Sequence, residues 1–554
     1  MATEKLKIIS LGGLNEVGKN LTVYEYGNDI LVIDCGLGFP DGDMYGVDVV
    51  IPDVTYLSRN SDRVRGIVLT HGHEDHIGAI PYVLKDINAP IYATPLTLAL
   101  VKGKLEEHRI LDIADLREFE AGDRFCVGCF ELEAIHVNHS IACAVALAIR
   151  TPVGVVVHTG DFKIDTTPVG SEMTDLTRFG ELGREGVLAL LSDSTNAERK
   201  GFSPSERIVG AAMDRLFEGC EKRMIITTFA SNVYRVQQAI TLAAKHGRKV
   251  AISGRSMENM ITASVELGYI TIPPDTLVDI TKIKNFPKHQ QLIITTGSQG
   301  ESMSALYRMA FGGHKQVEIT AGDRVILSSS VVPGNEKTVS TVINELFRRG
   351  AEVLYKDICG DLHVSGHACQ EEEKMILSLV RPRYFIPVHG EQRHLRAHAA
   401  LAREVGMDSK CILISDIGKI VELSKKTIRI SGTVQAGRVL VDGAGIGDVG
   451  SVVLRDRQHL AEDGMIVVAV SISREDNSLI SGPDIITRGF VYVRESEELM
   501  DKMRMVVADT VDACLENNIK NWTAIKSTIK TSLSSYLQKE TKRSPMILPV
   551  IMET

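Results

Sequence analysis

The chain has 554 residues, of which 44% are hydrophobic and 24% charged, with a formal net charge of -9 from 62 basic and 71 acidic side chains. That length is too great for one hydrophobic core and predicts two to four domains, and the balance excludes a fibrous or disordered protein. An acidic total counts mildly against a nucleic-acid enzyme, although the local field, not the total, steers a polyanion.

The first residues, Met1-Ala2-Thr3-Glu4-Lys5-Leu6-Lys7, contain no apolar signal segment. Apolar runs such as 465–470 have strand length, so no membrane span and a cytoplasmic location are expected. Nine scattered cysteines read as reduced thiols, and Cys126-Val127-Gly128-Cys129 is a lone CxxC without a second pair.

Strands are predicted over 6–10, 21–26 and 30–35, with Gly27-Asn28-Asp29 as a hairpin turn between the last two. Between the apolar runs 66–70 and 77–81 stands His71-Gly72-His73-Glu74-Asp75-His76. A buried histidine is usually solitary, so three imidazoles and two carboxylates together at a strand end point to metal. His71 and His73, two apart, can face one ion; Asp75 and His76, round the turn, can face another.

Further strands are predicted over 130–137, 142–149, 154–158 and 187–191. The first ends in Ala134-Ile135-His136-Val137-Asn138-His139, where spacing alone leaves His136 and His139 both open as a partner. His158-Thr159-Gly160-Asp161 ends another strand; His158 falls within the strand and Asp161 in the turn.

From about Ser205 the rhythm alternates strand and helix, with strands at 223–228, 249–253, 291–296 and 324–329 and helices at 233–246, 257–267, 303–311 and 337–349. This predicts a parallel sheet covered by helices. A helix over 370–379 and a strand over 384–388 follow, the strand ending in His389. Ser231-Asn232-Val233 precedes a helix and is either a helix cap or, through backbone N–H groups, a phosphate site; Gly297-Ser298-Gln299-Gly300 is a similar turn. No P-loop is present.

The Gly-rich stretch 432–450 suits a linker. In the last unit the strongest strand is 465–472, and Trp522, Ile525, Ile529, Leu533 and Tyr536 recur at helical spacing as a core stripe. The tail from Asn517 is basic (Lys520, Lys526, Lys530, Lys539, Lys542, Arg543), which reads equally as a solvated helix face or an RNA contact.

His71-X-His73-X-Asp75-His76 resembles the signature loop of the metallo-β-lactamase superfamily, and the whole chain is similar to the ribonuclease J family of its β-CASP branch. The resemblance implies an α/β protein: a metallo-β-lactamase αββα sandwich with an inserted β-CASP parallel α/β domain and a small C-terminal α/β domain. The expected divisions are 1–204 and 356–431 for the sandwich, 205–355 for the insertion, 432–455 for a linker and 456–554 for the last domain.

It also implies two Zn²⁺, with Mn²⁺ or Mg²⁺ as alternatives. His71, His73, His139 and Asp161 would hold one ion, and Asp75, His76, Asp161 and His389 the other. Asp34 would orient a ligand histidine, and Asp193 would pair with His367 for acid–base work at the leaving group. Ser231, Asn232, Val233 and the run His363, Val364, Ser365, Gly366, His367 would bind the RNA 5′-monophosphate and backbone. A structural Ca²⁺ would lie near Gly46, Asp48 and Asp442. The implied function is 5′→3′ exonuclease and endonuclease action on single-stranded RNA in a homodimer or homotetramer, with or without a paralogue. A non-catalytic partner subunit and a small-molecule metallo-hydrolase are the alternatives.

Overall fold

The computed structural model describes residues 5–332, 334–473, 478–491, 496–517, 519 and 521–553, so Lys520 of the basic tail lies outside the described residues. The chain divides into two compact units, 1–39 with 49–439 and 40–48 with 440–554.

The first unit is built on three sheets. An eight-stranded sheet runs in the order Ile428–Thr433, Lys419–Leu423, Leu6–Gly12, Leu21–Tyr26, Asp29–Ile33, Val64–Val68, Ile91–Ala93, Leu116–Glu118. A six-stranded sheet runs Tyr384–Val388, Val187–Asp193, Gly154–His158, Val145–Thr151, Phe130–His136, Arg124–Val127. Their facing sides share one core, in which Leu6, Ile8, Leu31 and Ile33 meet Leu132, Leu147, Leu191 and Ile386. Strand periodicity divides the side chains between layers. Ala189 and Leu191 enter this inner core. Leu190 points the other way, into a second core with the helices Leu176–Glu185, Gln370–Val380 and Gln392–Glu404.

The expected parallel insertion is present as a five-stranded sheet, ordered Lys249–Ser253, Gln291–Thr295, Met224–Thr227, Arg324–Leu327, Glu352–Leu354, with every neighbouring pair parallel. Both faces are buried, as a parallel sheet requires. Ile226 and Ile294 pack on one side and Ile225 and Ile293 on the other.

Two differences from the sequence reading have clear causes. The strand predicted from 142 begins at Val145 because Cys143 adopts φ 61° and Ile141 and Ala142 turn into the core that also holds Leu362 and Val364. The predicted linker is largely structured: Arg438–Asp442 and Gly445–Ile446 are strands, and the helix Ser451–Asp463 starts inside it. Its glycines serve turns; Gly443 and Gly447 stand at φ 57° and 75°.

In the second unit, Met465–Ile472 lies between Leu479–Arg488, antiparallel, and Met546–Glu553, parallel. Its alternate residues Ile466, Val468, Val470 and Ile472 are buried against the helices Glu497–Glu516 and Trp522–Thr541. The residues expected near calcium, Gly46, Asp48 and Asp442, lie in this unit. Arg457 pairs with Asp442 and donates to the Tyr45 carbonyl at 3.0 Å, while Asp48 accepts from the Gly443 amide at 2.7 Å. A Cβ on Gly46 would meet Arg457 Nη1 at 2.8 Å, so a guanidinium lies directly beside Gly46. No described helix is long and apolar enough to cross a membrane.

Candidate metal centre and nucleic-acid site

The candidate site stands in the first unit where strands of both large sheets end. Asp34 follows Asp29–Ile33, the 71–76 loop follows Val64–Val68, His139 follows Phe130–His136, and Asp161 follows Gly154–His158. Asp193 is the last residue of Val187–Asp193 and pairs in register with Val388, which delivers His389 beside it. Asp34 and His389 adopt φ 62° and 54°, a conformation that costs an L-residue free energy and clusters at functional sites. That switch of φ ends the strand at Ile33, two residues short of the predicted end.

The structure brings together every residue expected to hold metal. His71 Nε2 and His139 Nε2 each lie 3.0 Å from His73 Nδ1. Each of the two also lies 3.8 Å from Asp161 Oδ2. On the other side of Asp161, His76 Nε2 lies 3.3 Å from Oδ2 and His389 Nδ1 lies 2.8 Å from Oδ1. Asp75 Oδ2 is 3.3 Å from His389 Nε2 and 3.6 Å from His76 Nε2. The ambiguity between His136 and His139 is resolved by position: His136 Nε2 meets the Glu172 carbonyl at 3.0 Å, away from the cluster. His158 Nδ1 meets the Tyr24 hydroxyl at 2.9 Å, a buried structural contact.

Electrostatics separate the two halves. Burial pushes His73 down to about 4 and drives His71 and His139 well below their ordinary range, with the neighbouring imidazoles adding to it. Three neutral rings then turn their nitrogens on one another, and three lone pairs around one point want a cation. Ligand nitrogens about 2.0–2.1 Å from a tetrahedral zinc stand roughly 3.3 Å apart, close to the spacing seen here. In the other half burial opposes charge on His76 and His389, but Asp161 and neighbouring carboxylates outweigh it and raise both. Burial alone would raise Asp161; His389, His76 and His367 hold it well below the carboxylate range. His389 Nε2 is buried and makes no well-aligned hydrogen bond despite its closeness to Asp75. Both donor sets therefore fit metal ions, and loading the second would displace protons.

Supporting contacts fix these rings. Asp34 Oδ2 lies 2.8 Å from His76 Nδ1, and Asp34 Oδ1 accepts from the Thr70 amide at 2.8 Å. The Gly366 carbonyl accepts from His139 Nδ1 at 2.7 Å. A Cβ on Gly366 would fall 2.8 Å from the His139 ring, so only glycine allows that approach. Asn20, which the sequence reading missed, places Nδ2 3.0 Å from His76 Nε2 and 3.1 Å from the Asp75 carbonyl. It sits in a turn with no motif of its own, and only the fold brings it to the loop.

Asp193 and His367 do meet, with Oδ2 and Nδ1 2.7 Å apart. Thr195 donates from its hydroxyl and amide to Asp193 Oδ1, at 2.7 and 2.9 Å. Burial opposes charge on His367, and Asp193 and Asp161 overcome it and raise the ring. The residues expected to bind substrate divide. Asn232, Val364, Ser365 and Gly366 line one small pocket, with Ser140 and the buried Lys163. Two of the amides expected at 231–233 are engaged, because Asn232 N donates to the Phe229 carbonyl at 3.1 Å and Val233 N to the Ser231 carbonyl at 2.9 Å. Asn232 Oδ1 caps the helix Val233–Lys245, and the Val233 side chain lies in the core. His363 accepts at Nδ1 from the buried Arg235.

A His/Asp cluster at the strand ends of a two-sheet sandwich, interrupted by a parallel α/β insertion, defines a metallo-hydrolase of the β-CASP type. The sequence matches the metallo-beta-lactamase superfamily over residues 14–177 and the Zn-dependent metallo-hydrolase RNA specificity domain over 360–412. It matches the ribonuclease J beta-CASP domain over 221–346 and the ribonuclease J C-terminal domain over 452–554. It is 44% identical to Ribonuclease J 1 of Streptococcus pyogenes, covering 98% of this chain and 97% of that one. It is 42% identical to Ribonuclease J2 of Bacillus subtilis, over 100% and 99%, and 42% identical to Ribonuclease J of Thermus thermophilus, over 99% and 96%. The chain belongs to the ribonuclease J family. A crystal structure of a protein of unknown function from Enterococcus faecalis shares the fold at TM-score 0.55 and 15% identity, over 76% of this chain and all of that one.

Proposed function

We propose that the chain is a metal-dependent ribonuclease that cleaves single-stranded RNA as a 5′→3′ exonuclease and as an endonuclease, with a preference for 5′-monophosphate ends. The observation that carries this reading is the place of Asp161. Its carboxylate is common to three groups of potential ligands: His71, His73 and His139; Asp75, His76 and His389; and Asp193, His367 and His389. The first two groups, each together with Asp161, would hold two zinc-class ions. Such ions supply an activated water at neutral pH and neutralise charge on the phosphoryl oxygens.

The chain's own residues do the rest. Asp34 holds His76 through Nδ1 and so turns Nε2 into the cluster. Asp193 holds His367 through Nδ1, which leaves Nε2 to hand a proton to the leaving oxygen. Burial opposes charge on His367, but Asp193 and Asp161 raise the ring and so favour its protonated form. The pocket lined by Ser140, Lys163, Asn232, Ser365 and Gly366 is the proposed seat of the 5′-phosphate. Lys163, paired with Asp165 at 3.3 Å on the same lining, is the ammonium nearest such an anion, and the small side chains let it approach the backbone.

A triphosphate carries more bulk and charge than one small pocket holds. A 5′-hydroxyl loses charge-assisted contacts, each worth about 1.5–3 kcal/mol. Exonucleolytic decay of otherwise identical RNAs is expected to be fastest with a 5′-monophosphate, while internal cleavage depends less on the end. Equal exonuclease rates on all three ends would reject the pocket and leave the general nuclease.

A further inference from the structure

Arg235 stands in the first turn of the helix Val233–Lys245 and is fully buried. Its guanidinium is held from three directions. Nε and Nη2 donate to the two oxygens of Glu206 at 2.8 and 2.7 Å, and Nη1 donates to the Ser328 carbonyl at 2.8 Å. Glu206 is itself placed by its amide, which donates to Asp165 Oδ2 at 3.1 Å. Ser328 in turn donates its hydroxyl to the Leu362 carbonyl at 2.7 Å, next to His363. Nothing in the metal cluster needs this arrangement. Its remaining contact is with His363: Nη1 lies 2.8 Å from Nδ1.

The direction of that bond is fixed by chemistry. A guanidinium has only donors, so His363 Nδ1 must be a bare, accepting nitrogen. A neutral ring so held carries its proton on Nε2. That atom has no hydrogen-bond partner among the described residues, and His363 is only half-buried. Burial, then the charges of Arg235, Lys356, Arg199 and Lys163, push the ring down to about 2, so it stays neutral across any working pH.

We propose that the Glu206–Arg235 pair is a positioning device that fixes His363 as a neutral Nε2–H donor, offered to a phosphate oxygen of the RNA backbone. This rests on the ribonuclease reading of the 363–367 segment. A donor with no accepting nitrogen suits phosphate oxygens and ignores base donors, so the contact holds backbone of any sequence. Because the ring carries no charge, it adds grip without adding to the salt dependence that cations bring. Lysine at position 235 would keep the charge but could not hold the bidentate carboxylate and the ring together.

The test has two arms. In ¹⁵N-histidine-labelled protein, with His363 assigned by its loss in His363→Gln, the ring is expected to show a bare Nδ1 and a protonated Nε2 throughout the range about pH 6 to 8. A ring protonated on Nδ1, or one that titrates in that range, overturns the proposal. In the second arm, His363→Phe is expected to raise KM for a 5′-monophosphate single-stranded RNA about tenfold with little change in kcat, the sign of lost uniform binding. His363→Gln, which keeps an N–H near the Nε2 position, is expected to restore most of that loss. The double variant Glu206→Met, Arg235→Met removes the pair at similar volume, and KM is expected to fall on acidification as His363 regains a charge. A wild-type KM in His363→Phe overturns the proposal. Failure of the wild-type protein to cleave any RNA would overturn the ribonuclease reading instead.

Discussion

The strand ends around Asp161 and the sheet of the C-terminal unit use the same amino-acid alphabet for opposite purposes. In the C-terminal unit every rule agrees. Alternate residues of Met465–Ile472 are buried, and Ile525, Ile529, Leu533 and Leu537 form one buried stripe on the facing helix. Around Asp161 the rules are broken together. Imidazoles and carboxylates are buried, their ionisation is displaced in both directions, and Asp34 and His389 hold backbone angles that cost free energy. Free energy stored as misfit marks where chemistry is done, and local agreement marks where stability comes from.

The largest test of that contrast exchanges one residue in each region. His76→Ala is expected to abolish RNA hydrolysis while the protein stays folded, since Thr70 still donates to Asp34. Ile529→Ala is expected to lower unfolding free energy by about 2–5 kcal/mol and to leave metal content unchanged. Wild-type cleavage by His76→Ala would erase the distinction. Next in size, Asp193→Ala and His367→Ala are each expected to slow turnover about 10²–10⁴-fold with metal content near normal, the double variant being little worse than either. Loss of both ions from either variant would make that residue a ligand.

A pH profile sharpens the same point. His367 is raised, so the imidazolium it contributes is present at low pH and lost as pH rises through its folded value. Asp193→Asn removes the largest charge raising it, and the falling limb of kcat is expected to move to lower pH. An unmoved limb would assign the proton to another group. The smallest effect concerns Glu373, buried beneath this region with neither carboxylate oxygen hydrogen-bonded and His398 Nε2 4.0 Å away. Burial, then Asp193 and Glu372, raises it well above the carboxylate range. Its contribution to stability is therefore full below the ordinary glutamate value, about 4.3, and is lost as pH rises. Glu373→Gln is expected to melt above wild type at neutral pH and level with it near pH 4, measured by thermal unfolding.

Much of the site was legible because its residue types are improbable anywhere else: no core needs His71, His73 and His76 in one turn. The β/α rhythm of the insertion was legible because parallel strands bury both faces and read as unbroken apolar runs such as Leu292–Ile294. What stayed hidden depends on contacts distant in sequence. Asn20 reaches His76 across 56 positions, and Arg235 reaches His363 across 128. The glycines of 432–450 looked like a linker because turns inside a hairpin and flexible joints draw on the same residue. Ser231-Asn232 was ambiguous for a like reason: a helix cap and a phosphate cradle share their composition.

The central claim is that one carboxylate, Asp161, joins the candidate ligand groups into a single two-ion hydrolytic centre. Metal analysis and RNA cleavage on the same samples of wild type and Asp161→Ala test it directly. About two zinc-class ions per wild-type chain are expected, with both ions and hydrolysis lost from Asp161→Ala. A variant that keeps two ions and cleaves RNA at the wild-type rate would contradict the account.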